Sequence, residues 1–249
     1  MPDAWIHPDW PAPENIHACV STRLAPGVSL PPYGPCNLGL RSGDDQAAVR
    51  RNRELLAEAL ALPAPPSWLR QVHGSGVLRL DAPVADEPEA DAAVASAVGV
   101  VLAILVADCL PVLFCAVDGS EIGAAHAGWR GLAAGVLENT VAAMRAPPDR
   151  LLAWLGPCIG PPSFEVGEEV CAAFIDHDPQ AAAAFAPGRS GHAFCDLAAL
   201  ARQRLAGCGV TAVGGGGFDT RTDPRLHSYR RDGLSSGRLA ALVWRSVAV

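Results

Sequence analysis

The sequence predicts a mixed α/β fold, a single-domain layered sandwich over residues 1–249 and not a Rossmann fold. Three observations predict it. Short, strongly apolar runs of strand character are interspersed with helical patterns, without strict strand–helix alternation. Half of the 249 residues are apolar, enough for a substantial core, and no internal repeat or long linker divides the chain. The glycine run from Gly214 to Gly217 lacks the spacing of a dinucleotide fingerprint.

The elements follow in order. Prolines between Pro2 and Pro35 and from Pro63 to Pro66 mark irregular connections. Asp44 caps a predicted helix from about Asp45 to Leu62, with Val49, Leu55, Leu56 and Ala59 on its apolar face and Pro63 as its stop. Strands are expected over Val72–Leu80, Val98–Val106, Val112–Val117 and Glu121–Ala125. A helix from Gly131 to Arg145, a buried strand Leu151–Leu155 and a helix Val166–Phe174 come next. Asp196 caps a helix ending near Gly207, and Val210–Gly214 and Arg238–Val243 complete the strands. The nearly apolar run from Ala92 to Ala107 is short for a membrane span and bounded by Asp91 and Asp108, so it reads as two buried strands.

Composition removes several function classes. A net charge of −7 offers no basic face for nucleic acid. All basic residues are arginine, so no lysine is present to form a Schiff base or a Walker-type phosphate contact. An anionic substrate must be held by arginine, backbone N–H groups or a metal. The chain opens Met1-Pro2-Asp3-Ala4-Trp5, without a basic n-region or apolar h-region, so a cytoplasmic setting without membrane association is expected. Its eight cysteines are then expected to be reduced, most of them as small buried hydrophobes.

Against that background three residues carry the chemistry: His73, Cys109 and His126, each in a segment rich in small residues. Two imidazoles and a thiolate can hold zinc with the fourth position open, the mark of a catalytic rather than a structural site. The spacing matches no finger or ribbon, so this pattern is no metal signature by itself. Asp108, next to Cys109 at a buried strand end, can orient His73 or His126, or cap the next turn. Gly128 and Gly131 allow close backbone approach to a ligand, and the helix start there, with Arg130, suits an anion. Glu165 can serve as a general acid or base, or simply complement a helix dipole. Ser228-Tyr229-Arg230-Arg231 reads equally as a solvated surface. A weaker enzyme reading makes Cys109 the nucleophile of a metal-free Cys-His hydrolase.

The ordered set of motifs resembles the YfiH family, also called the laccase-domain or multicopper polyphenol oxidase family. It comprises Ser21-Thr22-Arg23, Asn37-Leu38-Gly39, Asn52-Arg53, Gln71-Val72-His73-Gly74, Ala107-Asp108-Cys109-Leu110-Pro111, His126-Ala127-Gly128-Trp129-Arg130-Gly131, Gly156-Pro157-Cys158-Ile159-Gly160, Phe164-Glu165-Val166-Gly167, Ser228-Tyr229-Arg230-Arg231 and Gly237-Arg238. The chain departs from the pattern near Phe218-Asp219-Thr220, where relatives often carry a Cys-Thr pair.

The resemblance implies zinc, rather than copper, on His73, Cys109 and His126. It also implies phosphorolysis of adenosine, inosine, guanosine and methylthioadenosine, with adenosine deamination at the same site. Nucleosides and phosphate are the implied partners. Cys109, Asp108 and Glu165 are the expected catalytic groups, and Arg23, Asn37, Arg41, Arg130 and Arg230 the expected substrate contacts. Alternatives within the resemblance are a hydrolase editing peptidoglycan precursors, a copper polyphenol oxidase and a non-catalytic zinc module. A multicopper oxidase needs more histidines than the motif segments offer.

Overall fold

In the computed structural model, which describes residues 4–247, three sheets and six α-helices form. The first strands are β1 (Trp5–Ile6) and β2 (Ile16–Ser21), followed by helix α1 (Gln46–Ala59). Next come β3 (Val77–Arg79), β4 (Ala92–Ala95), β5 (Val101–Val106), β6 (Leu110–Ala116) and β7 (Ile122–Ala127). Helices α2 (Trp129–Ala133) and α3 (Val136–Ala143) lead to β8 (Leu151–Leu155) and β9 (Glu165–Gly167). The remainder is α4 (Glu168–Ile175), β10 (Phe185–Pro187), β11 (His192–Cys195), α5 (Leu197–Gly207), β12 (Ala212–Gly215), α6 (Tyr229–Asp232) and β13 (Leu239–Arg245).

A six-stranded mixed sheet, ordered β12-β8-β6-β7-β4-β3, is the backbone of the site. A four-stranded sheet, β1-β2-β13-β5, packs on it, and a small sheet, β10-β11-β9, stands apart from both. The layering follows from the two-residue period of strands. Along β6, Val112 and Phe114 join a core shared with Leu132, Leu137 and Leu200 of the helices. The alternate residues Leu113 and Cys115 join Leu102, Ile104 and Val243 of the second sheet. On that sheet's far face, Val101, Ala103 and Leu242 pack with Leu38 and with Leu56 of α1. Strands covered on both faces must be apolar throughout, which is why these runs show little alternation in sequence. Each such leucine or valine contributes about 1.5–3 kcal/mol when removed from water.

The layered α/β architecture agrees with expectation, and several elements differ in detail. Asp45, not Asp44, caps α1 by accepting from Ala47 N at 2.8 Å. Asp44 instead accepts from Ser29 Oγ and Asn37 Nδ2. The buried face of α1 is Val49, Asn52 and Leu56, because Asn52 has partners in Ser29, Asn37 and Val28. The strand expected from Val72 shrinks to β3, since Asp91 gathers the N–H groups of Val72, His73 and Gly74 into a turn. The expected Gly131–Arg145 helix is two helices, broken where Gly135 takes φ +89°. The helix expected from Val166 starts as β9, which pairs with β11, and turns helical at Glu168. The Ala92–Ala107 run is β4 and β5, joined through a turn at Gly99. No helix among the described residues is long and apolar enough to cross a membrane.

Candidate metal and anion site

The three chemistry-bearing residues converge. Cys109 sits in the tight link between β5 and β6, after Asp108 at φ +90°. His126 lies inside β7, opposite Pro111 of β6, and is 3% exposed. His73 reaches them from its turn with φ +60°. Left-handed backbone at two non-glycine residues is uncommon and concentrates at functional sites. The Cys109 sulfur stands 3.9 Å from His73 Nε2, and the two imidazole rings meet edge to face at 4.8 Å between centroids. One ligand atom from each residue lies within 4.8 Å of the others, so the group could hold a metal ion.

The glycines after His126 make this convergence possible. A Cβ at Gly128 would stand 2.9 Å from the Cys109 sulfur and 3.2 Å from His73 Cδ2. A Cβ at Gly131 would stand 2.7 Å from the Gly74 carbonyl oxygen. The close approach they permit is therefore to the other two arms of the site.

The electrostatics single out one thiol. Burial would raise the Cys109 pKa, but His126 and His73 outweigh it and bring it down to about 6. Burial likewise opposes charge on His126, yet Cys109 and Asp91 carry it up to about 9. The other seven cysteines all move upward, chiefly through burial; Cys19, Cys36, Cys115 and Cys195 reach about 12. A thiolate is the metal-binding form, so Cys109 is the cysteine prepared for that role. Tetrahedral zinc with two nitrogens and one sulfur needs ligand atoms roughly 3.3–3.6 Å apart. Among the described residues this is the one group of three or more such ligands, which fits a single metal and not a multicopper cluster.

A cavity of about 450 Å³ opens over the group. Leu69, Leu105, Ile159 and Phe164 supply apolar wall, and Arg41, Arg230, Arg238 and Asp108 supply charge. Of the expected substrate contacts, Arg41 and Arg230 line it. Arg41 is paired with Glu87 at 2.6 Å, and Glu87 also holds Arg53. Arg230 donates to the Glu165 carbonyl and lies over the Phe164 ring. Arg130 stacks on Trp129 beside a second, 120 Å³ cavity that shares His73, Asp108 and Cys109 with the first.

The remaining expected residues lie elsewhere. Arg23 lines neither cavity; its guanidinium is directed at the Pro32 carbonyl. Asn37 is fully buried, donating to Ser42 and Asp44 and accepting from the N–H of Gly39 and Arg238, so it braces the Gly39–Ser42 turn from behind. Glu165 faces Arg189, with which it forms an ion pair, and does not line the cavity. Asp108 touches neither histidine through its carboxylate, which accepts from the Thr220 hydroxyl at 2.5 Å and from Arg230 N at 2.6 Å.

Two residues escaped sequence reasoning. Asp91 is the acceptor for His126 Nδ1, at 2.8 Å. Arg238, immediately before β13, lines the cavity, donates to the Ser236 and Gly237 carbonyls, and has no acidic partner among the described residues. Only its place in the Gly237-Arg238 motif hinted at it.

Residues 17–246 match the family model described as multi-copper polyphenol oxidoreductase laccase. The chain belongs to this family. A relative from Xylella fastidiosa, named purine nucleoside phosphorylase, is 55% identical over 247 residues, 95% of each chain. The Escherichia coli relative, named purine nucleoside phosphorylase YfiH, is 49% identical over 240 residues, 96% of this chain and 98% of its own. The crystal structure of a Neisseria meningitidis protein superposes with a TM-score of 0.93 at 45% identity, covering 98% of this chain and 99% of the other. YlmD from Geobacillus stearothermophilus gives 0.90 at 28% identity, over 97% and 96%. Family membership thus agrees with the resemblance drawn from the motifs. The family's copper name sits beside relatives named for phosphorolysis.

Proposed function

We propose that this protein is a zinc-dependent purine nucleoside phosphorylase, acting on adenosine, inosine, guanosine and methylthioadenosine. The observation that carries the reading is the joining, in one 450 Å³ cavity, of a thiolate–imidazole group with the guanidinium groups of Arg230 and Arg238, which form no ion pair among the described residues. That volume falls in the range of small-molecule sites, about 300–1,000 Å³. The names of the relatives supply the substrate class.

Phosphorolysis breaks the bond from ribose C1′ to the purine nitrogen and forms one from C1′ to a phosphate oxygen. The departing base takes up the proton that the hydrogen phosphate gives up on forming its ester. Arg238 and Arg230 are the preferred phosphate partners, because neither guanidinium has an acidic partner among the described residues while Arg41 is engaged by Glu87. Charge-assisted contacts of this type are roughly twice as strong as neutral ones. The apolar wall of Leu69, Leu105, Ile159 and Phe164 covers the base and limits water, and Asp108 holds the Arg230 backbone in place. Zinc on His73, Cys109 and His126 would supply Lewis-acid polarisation of a substrate atom. The same setting supports adenosine deamination as a second activity.

A product assay with adenosine, with and without phosphate, tests the reading. Adenine with ribose 1-phosphate, formed only when phosphate is present, is the expected result. Inosine formed irrespective of phosphate would mark the deaminase activity. Absence of both products from the zinc-loaded protein would refute the assignment.

A further inference from the structure

We propose that Asp91 is the positioning residue of the centre: one buried carboxylate fixes both histidine arms, setting the tautomer of His126 and clamping the turn that carries His73. This rests on the reading of His73, Cys109 and His126 as metal ligands.

Asp91 is 0% exposed and immediately precedes β4. Its Oδ1 accepts from His126 Nδ1 at 2.8 Å and from His73 N at 2.9 Å. Its Oδ2 accepts from Gly74 N at 2.7 Å and Val72 N at 3.1 Å. All four donors belong to the two histidine arms. Its backbone carbonyl takes His126 N as well, at 2.7 Å. No arginine neutralises this carboxylate among the described residues; its ion-pair partner is His126. A carboxylate buried this deeply persists only when its oxygens are satisfied, and here the site itself satisfies them.

Two consequences follow for the ligands. An ionised carboxylate only accepts, so His126 Nδ1 must carry the proton and Nε2 keeps its lone pair for a metal. His73, in left-handed backbone, is held by three N–H bonds converging on the same side chain. Cys109 is brought in from the other side by the β5–β6 link and touches Asp91 through no hydrogen bond.

An amide cannot replace this carboxylate. If the amide of Asp91→Asn kept its oxygen toward His126, its NH₂ would face the N–H groups of Val72 and Gly74, donor against donor. If it turned over, His126 Nδ1 would have to accept, moving the proton to Nε2 and removing that ligand.

The test uses cobalt(II) as the metal probe on the full chain, comparing wild type, Asp91→Asn and Cys109→Ser. Wild type should bind one cobalt with a sulfur-to-cobalt charge-transfer band, absent in Cys109→Ser. Asp91→Asn should bind about 10–100-fold more weakly, the usual cost of losing a carboxylate behind a ligating histidine. Its band should be displaced, a change that mere loss of stability would not produce. Asp91→Asn with wild-type affinity and an unchanged band would overturn the proposal. No cobalt binding by wild type would instead overturn the ligand reading beneath it. If Asp91→Asn does not fold, ¹⁵N spectra of the zinc-loaded wild type decide. A proton on His126 Nδ1, hydrogen-bonded and coupled to its nitrogen, supports the proposal; a bare or metal-bound Nδ1 overturns it.

Discussion

The two sides of the cavity are built differently. On one side, His73, Cys109 and His126 stand within 4.8 Å of one another, with both histidine arms tied to the strands by the buried carboxylate of Asp91. On the other, Arg41, Arg230 and Arg238 come from a turn, a short helix and the residue before β13, and are held mainly through backbone carbonyls and Glu87. The first side is drawn together by one side chain, and the second is assembled residue by residue. The proposed reaction divides in the same way, with a metal site gathered by one carboxylate next to an anion rim built from separate elements.

The sharpest way to break this division is at the thiol. Cys109→Ala should lower phosphate-dependent purine release by more than about 100-fold, on the scale of losing a directly acting group. Cys158→Ala, which removes a buried packing thiol from the helix-side core, should stay within a few-fold if the fold holds. Equal losses would make Cys109 one packing residue among several.

A second prediction concerns the rim. Arg238→Ala should raise the phosphate KM by about 10–100-fold, the equivalent of one charged hydrogen-bond set. Arg230→Ala should follow, Arg41→Ala should do less because Glu87 already occupies it, and Arg23→Ala should leave the KM within about twofold. Steady-state phosphate titrations of the four variants would read the order. An unchanged KM in Arg238→Ala, beside a large change in Arg23→Ala, would relocate the anion.

A smaller effect is expected in the metal-free protein as pH varies. Cys109 has its pKa depressed to about 6, so its stabilising charge is fully present above the ordinary thiol value and is lost as pH falls through 6. His126 is raised to about 9, so its contribution is complete below its ordinary value near 6.5 and is lost as pH rises through 9. The thiolate–imidazolium pair therefore persists between about 6 and 9, and because the two terms run in opposite directions across it, the melting temperature should stay nearly level within that window. Alkylation of Cys109 by iodoacetamide should already be appreciable at about pH 7. A melting temperature in Cys109→Ala equal to that of wild type throughout the window would show that the pair contributes nothing.

The same contrast explains what could be read from sequence. The ligand side was legible because its residues sit in short segments whose small neighbours, Gly128 above all, exist to let three side chains meet. The layered strands were legible because burial on both faces leaves apolar runs. Asp91 was not: it lies 35 residues from His126, and nothing local distinguishes it from a charge ending an apolar run. Arg238 gained its place only when β13 paired with β5, a contact of high sequence separation. Asn37 and Glu165 lie in the motifs yet turn away from the cavity, since a motif reports that a residue matters and not which way it faces. The shift of the α1 cap from Asp44 to Asp45 has the same origin, for Asp44 is drawn to Ser29 and Asn37.

The most direct measurement of the central claim is a crystal structure of the protein with zinc and phosphate, with the metal located by anomalous scattering at the zinc edge. The account predicts one zinc at about 2.0–2.1 Å from nitrogens of His73 and His126 and about 2.3 Å from the Cys109 sulfur. It also predicts phosphate in the same cavity, against Arg238 and Arg230. Zinc held elsewhere, or phosphate bound outside this cavity while the arginine rim stays empty, would contradict it.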